Sequence, residues 1–237
     1  IEEALDSAGA LIKDYPDEAL LYNISGICYK TIGKLDDAVK SFEKALAIKP
    51  DYAEVHYNLG VTLQELVQLD AAVKSYEQAL TIKPDYANAC NNLGVTLQKL
   101  GQLDAAVKSY EQALAIKPDF ADACNNLGIT LKDLGQLDAA VKSYKQALAI
   151  KPDYAEAHYN LGNALKDLSQ LGAAVKSYEQ AIAIKPDYAE VFNNLGNALK
   201  DLGRLDAAVK CYEKAVALKT DYAEAYRNHG SVMKRLK

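Results

Sequence analysis

Residues 87–120 read ANACNNLGVTLQKLGQLDAAVKSYEQALAIKPDF, and residues 121–154 read ADACNNLGITLKDLGQLDAAVKSYKQALAIKPDY, a copy differing at six of 34 positions. The same step of 34 runs outward in both directions: Gly26, Gly60, Gly94, Gly128, Gly162, Gly196 and Gly230 keep it without a slip. So do Ala38, Ala72, Ala106, Ala140, Ala174 and Ala208, and the prolines from Pro16 to Pro186, with Thr220 where the next is due. Phe42, Tyr76, Tyr110, Tyr144 and Tyr178 each precede a proline by eight residues. One unit is being stacked, and each copy buries the next.

Within residues 53–86, apolar side chains fall at Leu59, Leu63 and Leu66, then at Leu69, Ala72, Val73, Tyr76, Ala79 and Leu80, which is helical spacing in two successive runs. Asp51-Tyr52-Ala53-Glu54 predicts a capping box at the first helix, repeated at Asp153, Asp187 and Asp221. Gly33, Gly101, Gly135 and Gly203 suit a left-handed turn between the helices. Val67 and Ser169 replace that glycine, so their turns are expected to be strained or to bend differently. The glycine at the eighth position of a unit and the alanine at the twentieth allow close helix approach, with the aromatic at the twenty-fourth filling the gap beside them. The chain therefore reads as an all-α array of antiparallel helix pairs, a single domain over residues 1–237. Residues 1–18 form the second helix of a partial unit. Six units follow at 19–52, 53–86, 87–120, 121–154, 155–188 and 189–222, and residues 223–237 form a further first helix.

A quarter of the residues are charged, half are apolar and the net charge is -5, a balance that argues against a nucleic-acid partner held through phosphates. No apolar run approaches the roughly 20 residues of a membrane span, and Ile1-Glu2-Glu3-Ala4 does not read as a signal peptide. With no initiator methionine, the chain is expected to be a fragment. Cys28, Cys90, Cys124 and Cys211 contain no CxxC pair, and His56, His158 and His229 are scattered. They are read as packing residues, with no metal or cofactor expected. Reduced thiols favour the cytoplasm. No nucleophile with a base beside it and no phosphate-binding glycine loop is present, so no enzyme is expected.

The unit length, the Leu59-Gly60, Leu93-Gly94 and Leu127-Gly128 pairs, the two alanines, the aromatic and the proline together resemble the tetratricopeptide repeat over the whole chain. The fourth position departs from the family's large aromatic, with Tyr22, His56, Cys90, Cys124, His158, Phe192 and Tyr226. The resemblance implies a right-handed superhelical solenoid whose first helices line a concave groove. It also implies a scaffold that binds an extended peptide or partner protein there.

On the groove stripe, the sixth position is asparagine at Asn58, Asn92, Asn126, Asn160, Asn194 and Asn228, with Ile24 the exception. An amide donates and accepts, so such a row can pair with peptide backbone whatever the side chains. The alternative is that each asparagine bonds a neighbouring repeat or water. Variation at Glu54, Asn88, Asp122, Glu156, Glu190, Gln98, Lys132, Lys166 and Lys200 is expected to set specificity. The acidic second position argues against a clamp for acidic peptide tails, and its carboxylates also suit helix capping. The asparagine row and runs such as Asn160 to Asp167 are similar to the repeat region of O-linked N-acetylglucosamine transferases, whose asparagines hold substrate backbones. That resemblance implies, as an alternative, a substrate-recognition arm of a glycosyl- or other transferase, in which any catalytic domain would lie outside this chain. A second class of function is head-to-tail self-assembly through the terminal half-units.

Overall fold

The structure is a computed structural model that describes residues 1–236, and among them it contains fourteen helices and no strand. The helices form two compact units, Ile1–Pro118 and Asp119–Lys237. In the first, α1 (Glu2–Asp14) packs on α2 (Ala19–Thr31), and the pairs are α2 with α3 (Leu35–Ile48), α4 (Ala53–Glu65) with α5 (Leu69–Ile82), and α6 (Ala87–Lys99) with α7 (Leu103–Ile116). In the second, α8 (Ala121–Asp133) pairs with α9 (Leu137–Ile150), α10 (Ala155–Asp167) with α11 (Leu171–Ile184), and α12 (Ala189–Asp201) with α13 (Leu205–Leu218). Helix α14 (Ala223–Arg235) packs on α13. Each break between helices falls where the 34-residue register places it. No helix among the described residues is long and apolar enough to cross a membrane.

Each first helix from α2 to α12 is followed by a left-handed residue that lets two amides fold back on the last turn. Gly101 has φ +74°, donates to the Gln98 carbonyl at 3.0 Å, and is followed by Gln102 donating to Leu97 at 2.9 Å, the paired bonds of a Schellman turn. Val67 and Ser169 make the same turn, both at φ 61°. The turn therefore does not bend differently for them; it is kept at the steric cost of a Cβ. Val67 is 75% exposed and contributes little packing in return. Val67→Gly is expected to raise stability by about 1 kcal/mol in a urea titration followed by circular dichroism. A loss of stability would mean that the valine side chain contributes more than its turn costs.

The capping boxes do not form. The N-cap residues are Tyr52, Tyr154, Tyr188 and Tyr222, none with a side-chain cap bond, and Glu18 alone among the N-caps accepts from its helix, at Leu20 N. The interrepeat loops hold these tyrosines in another way. Lys49 lies 4.8 Å from the centroid of the Tyr52 ring, Lys83 4.9 Å from Tyr86, Lys151 4.8 Å from Tyr154 and Lys185 4.7 Å from Tyr188. Each lysine is three residues ahead of its tyrosine, a pairing worth about 0.5–1 kcal/mol at an exposed site. The first-turn carboxylates then turn to lysines rather than to their own helix: Glu54 meets Lys83 at 3.6 Å and Glu190 meets Lys219 at 3.5 Å.

The core of a pair is the contact between the eighth and twenty-fourth positions. Phe42, Tyr76, Tyr110, Tyr144, Tyr178 and Tyr212 are fully buried, as are the alanines at the twentieth and twenty-seventh positions of the same helices. A Cβ on Gly60 would come 2.7 Å from the Tyr76 ring, and one on Gly162 2.5 Å from Tyr178. Only a hydrogen fits there, which is why the glycine keeps its step.

Candidate functional site

In both units the amide at the sixth position reaches back 35 residues to the fifth position of the preceding first helix. In the first unit, Asn58 Nδ2 donates to Asn23 Oδ1 at 3.2 Å and Asn92 Nδ2 to the Tyr57 hydroxyl at 3.2 Å. In the second, Asn160 donates to Asn125 Oδ1 at 3.1 Å, Asn194 to the Tyr159 hydroxyl at 3.2 Å, and Asn228 to Asn193 Oδ1 at 3.0 Å. Asn126 is half-buried on α8 beside the buried Asn125. Geometry explains the exchange of partners. Packed first helices put the fifth position of one beside the sixth of the next, and asparagine or tyrosine there both offer an oxygen.

The asparagines are not equally committed. Asn194 spends both N–H groups, on Tyr159 and on Asn163 Oδ1 at 2.9 Å. Asn92 gives one N–H to Tyr57 and accepts from Asn91 at 3.2 Å. Asn58 and Asn160 each give a single N–H to the preceding helix and keep the second N–H and the carbonyl oxygen uncommitted. Both are half-buried, so their amides are preset without being sealed.

Below this face lies a second set of bonds, from the core tyrosines. Tyr76 donates to Gln64 Oε1 at 3.0 Å and Tyr110 to Gln98 at 3.3 Å, both acceptors at the twelfth position. Tyr178 and Tyr212 donate instead to Asn163 and Asn197, at the ninth position, each at 2.8 Å. Repeats with glutamine at twelve carry valine at nine, Val61 and Val95, while those with asparagine at nine carry lysine at twelve, Lys166 and Lys200. Residues 121–154 have neither acceptor, only Ile129 and Lys132, and the Tyr144 hydroxyl is buried without a partner. Burial raises the pKa of these phenols, Tyr144 included, so they remain protonated donors.

The expected specificity residues are therefore of several kinds. Gln98 is bound to a core tyrosine. Lys132 pairs with Asp167 at 3.6 Å, Glu54 and Glu190 pair with loop lysines, and Asp122 interacts with the Tyr154 hydroxyl, whose pKa burial raises first. Asn88 and Glu156 are exposed, and Lys166 and Lys200 are half-buried. Tyr57 and Tyr159 at position five and Asn163 and Asn197 at position nine fall on the expected groove stripe but were not among the expected site residues. The exclusive use of positions nine and twelve was the signal in the sequence that marks the last two. Tyr57 stacks at 4.9 Å on Tyr86, and Tyr159 at 5.3 Å on Tyr188.

The other candidate chemistry is structural. His56 Nε2 donates to the Pro50 carbonyl at 2.8 Å and His158 Nε2 to Pro152 at 3.0 Å, locking the loop before each helix. The four cysteines are free thiols, and burial pushes those of Cys90 and Cys124 up to about 11, far from the thiolate form. Among the described residues, no group of three or more His, Cys, Asp and Glu side chains is placed to hold a metal ion.

Compared with known proteins, the chain matches the profile of the TPR repeat family over residues 28–67, 68–101, 96–135, 130–169, 162–203 and 196–237. No curated protein matches it. Solved structures that are similar include pilF of Pseudomonas aeruginosa, with a TM-score of 0.77 at 19% identity, covering 97% of this chain and 98% of that one. The APC/C hetero-tetramer Cut9-Hcn1 gives 0.74 at 17% identity, covering 97% of this chain but only 45% of that one. YrrB, described as a TPR protein with an unusual peptide-binding site, gives 0.68 at 22% identity, with 80% of this chain and 97% of that one covered. At these identities the likeness establishes the all-helical solenoid fold.

Proposed function

The chain belongs to the TPR repeat family, and from that premise we propose that it is a scaffold binding an extended peptide, or an extended segment of a partner protein, along the first-helix face of each unit. TPR folds are generally scaffolds for protein–protein interaction. The observation that carries the reading is the half-committed amide of Asn58 and of Asn160, each held by one N–H and offering an N–H and a carbonyl in fixed orientation. That is the complement of a peptide unit, and preorganisation removes part of the entropic cost of binding. Asn228 extends the same chemistry and Asn92 keeps one N–H, while Asn194 is chiefly an interrepeat tie. The resemblance of the asparagine row to O-linked N-acetylglucosamine transferase repeats supports a role as substrate-recognition arm of a larger protein.

The test is selection of phage-displayed random 12-residue peptides on the whole chain, followed by fluorescence anisotropy with the selected peptides. Asn58→Ala combined with Asn160→Ala is expected to weaken binding at least about fivefold, the loss in each unit of two hydrogen bonds at about 0.5–1.5 kcal/mol each, with helicity unchanged. Undiminished affinity in a folded double variant would sink the reading.

Head-to-tail assembly is the weaker alternative on packing grounds. Gly230 of α14 has nothing within 4 Å of a built Cβ, so its slot is open to a second helix. By register, α1 would bring Ala8 where every full repeat brings a buried aromatic, and Leu11 where they bring a fully buried alanine. A small residue facing the slot and a large one beside it make α1 a poor occupant.

A further inference from the structure

Repeats 53–86 and 155–188 each place one carboxamide oxygen between the core tyrosine and the next first helix. Gln64 Oε1 accepts from the Tyr76 hydroxyl at 3.0 Å, with Thr96 Oγ1 of the next first helix 3.1 Å away. Asn163 Oδ1 accepts from Tyr178 at 2.8 Å and from Asn194 Nδ2, again on the next first helix, at 2.9 Å. Repeat 121–154 keeps the donors and lacks the oxygen. Tyr144 is fully buried, and its hydroxyl has no partner among the described residues. Asn160 spends one N–H on Asn125 at 3.1 Å. Its register counterpart Asn194 shows where the other N–H lies, toward position nine of the preceding first helix. That position is Ile129, which accepts nothing.

The missing oxygen need not come from position nine. Gln64 brings its own in from position twelve, on the groove stripe and past Val61, so a β-branched residue at nine does not close the way. In repeat 121–154 the twelfth residue is Lys132, which has no acceptor and carries its ammonium to Asp167 at 3.6 Å. The surroundings suit a neutral oxygen. A carboxylate in this slot would compete with Asp167 for Lys132 and lie near Asp133, whose charge adds to burial in raising the pKa of Tyr144. The slot is also recessed, since Tyr144 has no exposed surface, so a side chain reaches it where a backbone crossing the stripe does not.

We propose that the Tyr144 hydroxyl and the second N–H of Asn160 form a subsite for the side-chain carbonyl of an Asn or Gln in the bound peptide, entering as Gln64 enters in repeat 53–86. The inference rests on the peptide-binding reading above and narrows its ligand class. A carboxamide is itself an amide unit, so it uses the same uncommitted groups of Asn160 that the broader reading uses.

Phage-displayed 12-residue peptides selected on the whole chain are sorted by whether Asn160→Ala weakens them. The Asn160-dependent set is expected to share an Asn or Gln. Tyr144→Phe is expected to weaken that set about fivefold, the loss of one hydrogen bond, while the variant unfolds no earlier than wild type in urea. Affinity and stability then move apart, which damage to the packing would not produce. Ile129→Asn fills the slot from within, as Asn163 does, and is expected to abolish the Asn or Gln preference in its own selection. Asn160-dependent peptides without that preference, or with Asp or Glu in its place, would overturn this inference and leave the broader reading standing. So would a selected set that depends on Asn58 but never on Asn160. Peptides indifferent to Asn58→Ala and Asn160→Ala alike would overturn the two together.

Discussion

Gly128→Ala is expected to destabilise the protein by about 2–3 kcal/mol, the cost of overpacking a closed core, although alanine is the better helix former by nearly 1 kcal/mol. A Cβ on Gly128 would lie 2.6 Å from Cε1 of Tyr144, 2.8 Å from Cδ1 and 2.9 Å from Cζ. The ring is fully buried, so making room for the Cβ requires the ring or the pair α8 and α9 to shift. Gly9→Ala is the control. Gly9 lies in the middle of α1, exposed, with nothing within 4 Å of its built Cβ, and the same substitution there is expected to gain about 0.5–1 kcal/mol. Urea titration of both variants measures the difference, and equal effects would show that the glycine step has some reason other than ring contact.

The second large effect is a contrast between two tyrosines at the same register position. Tyr178→Phe removes a 2.8 Å bond to Asn163 and is expected to cost about 1 kcal/mol. Tyr144→Phe removes a buried hydroxyl that has no partner, relieving a desolvation penalty of about 1–3 kcal/mol. The same chemical change is thus expected to differ by about 2–4 kcal/mol between two equivalent sites. Residues 19–52 already show the solution, since Ile27 and Lys30 also lack an acceptor and the aromatic there is Phe42. Ile129→Asn, copying Asn163, is expected to stabilise the chain only while Tyr144 keeps its hydroxyl. A double-mutant cycle reads that coupling, and purely additive effects would refute it.

The helices were legible because one register repeats seven times at the glycine, so each boundary was read several times over. The left-handed turns were legible too, since a run of glycines exposes Val67 and Ser169 as departures from a rule. The capping boxes misled, because Asp51 and Glu54 satisfy the sequence pattern while Lys83, 29 residues beyond Glu54, takes the carboxylate. Local pattern has no access to that partner. The asparagines posed the same difficulty: their number advertises a role, but a bond 35 residues back exists only once first helices are stacked. Which of them keep a free donor and acceptor depends on the tyrosine or asparagine that each meets, a property of pairs of repeats rather than of any one.

The acceptors of the core tyrosines sit on the surface that would meet a ligand, and this ties recognition to the interior. Exchanging Gln98 for a lysine to alter selectivity would remove the 3.3 Å hydrogen bond that the buried Tyr110 makes to it. An asparagine placed at position nine beforehand would remove that penalty. New specificities in this scaffold are therefore reached in an order, with the silent supporting change first.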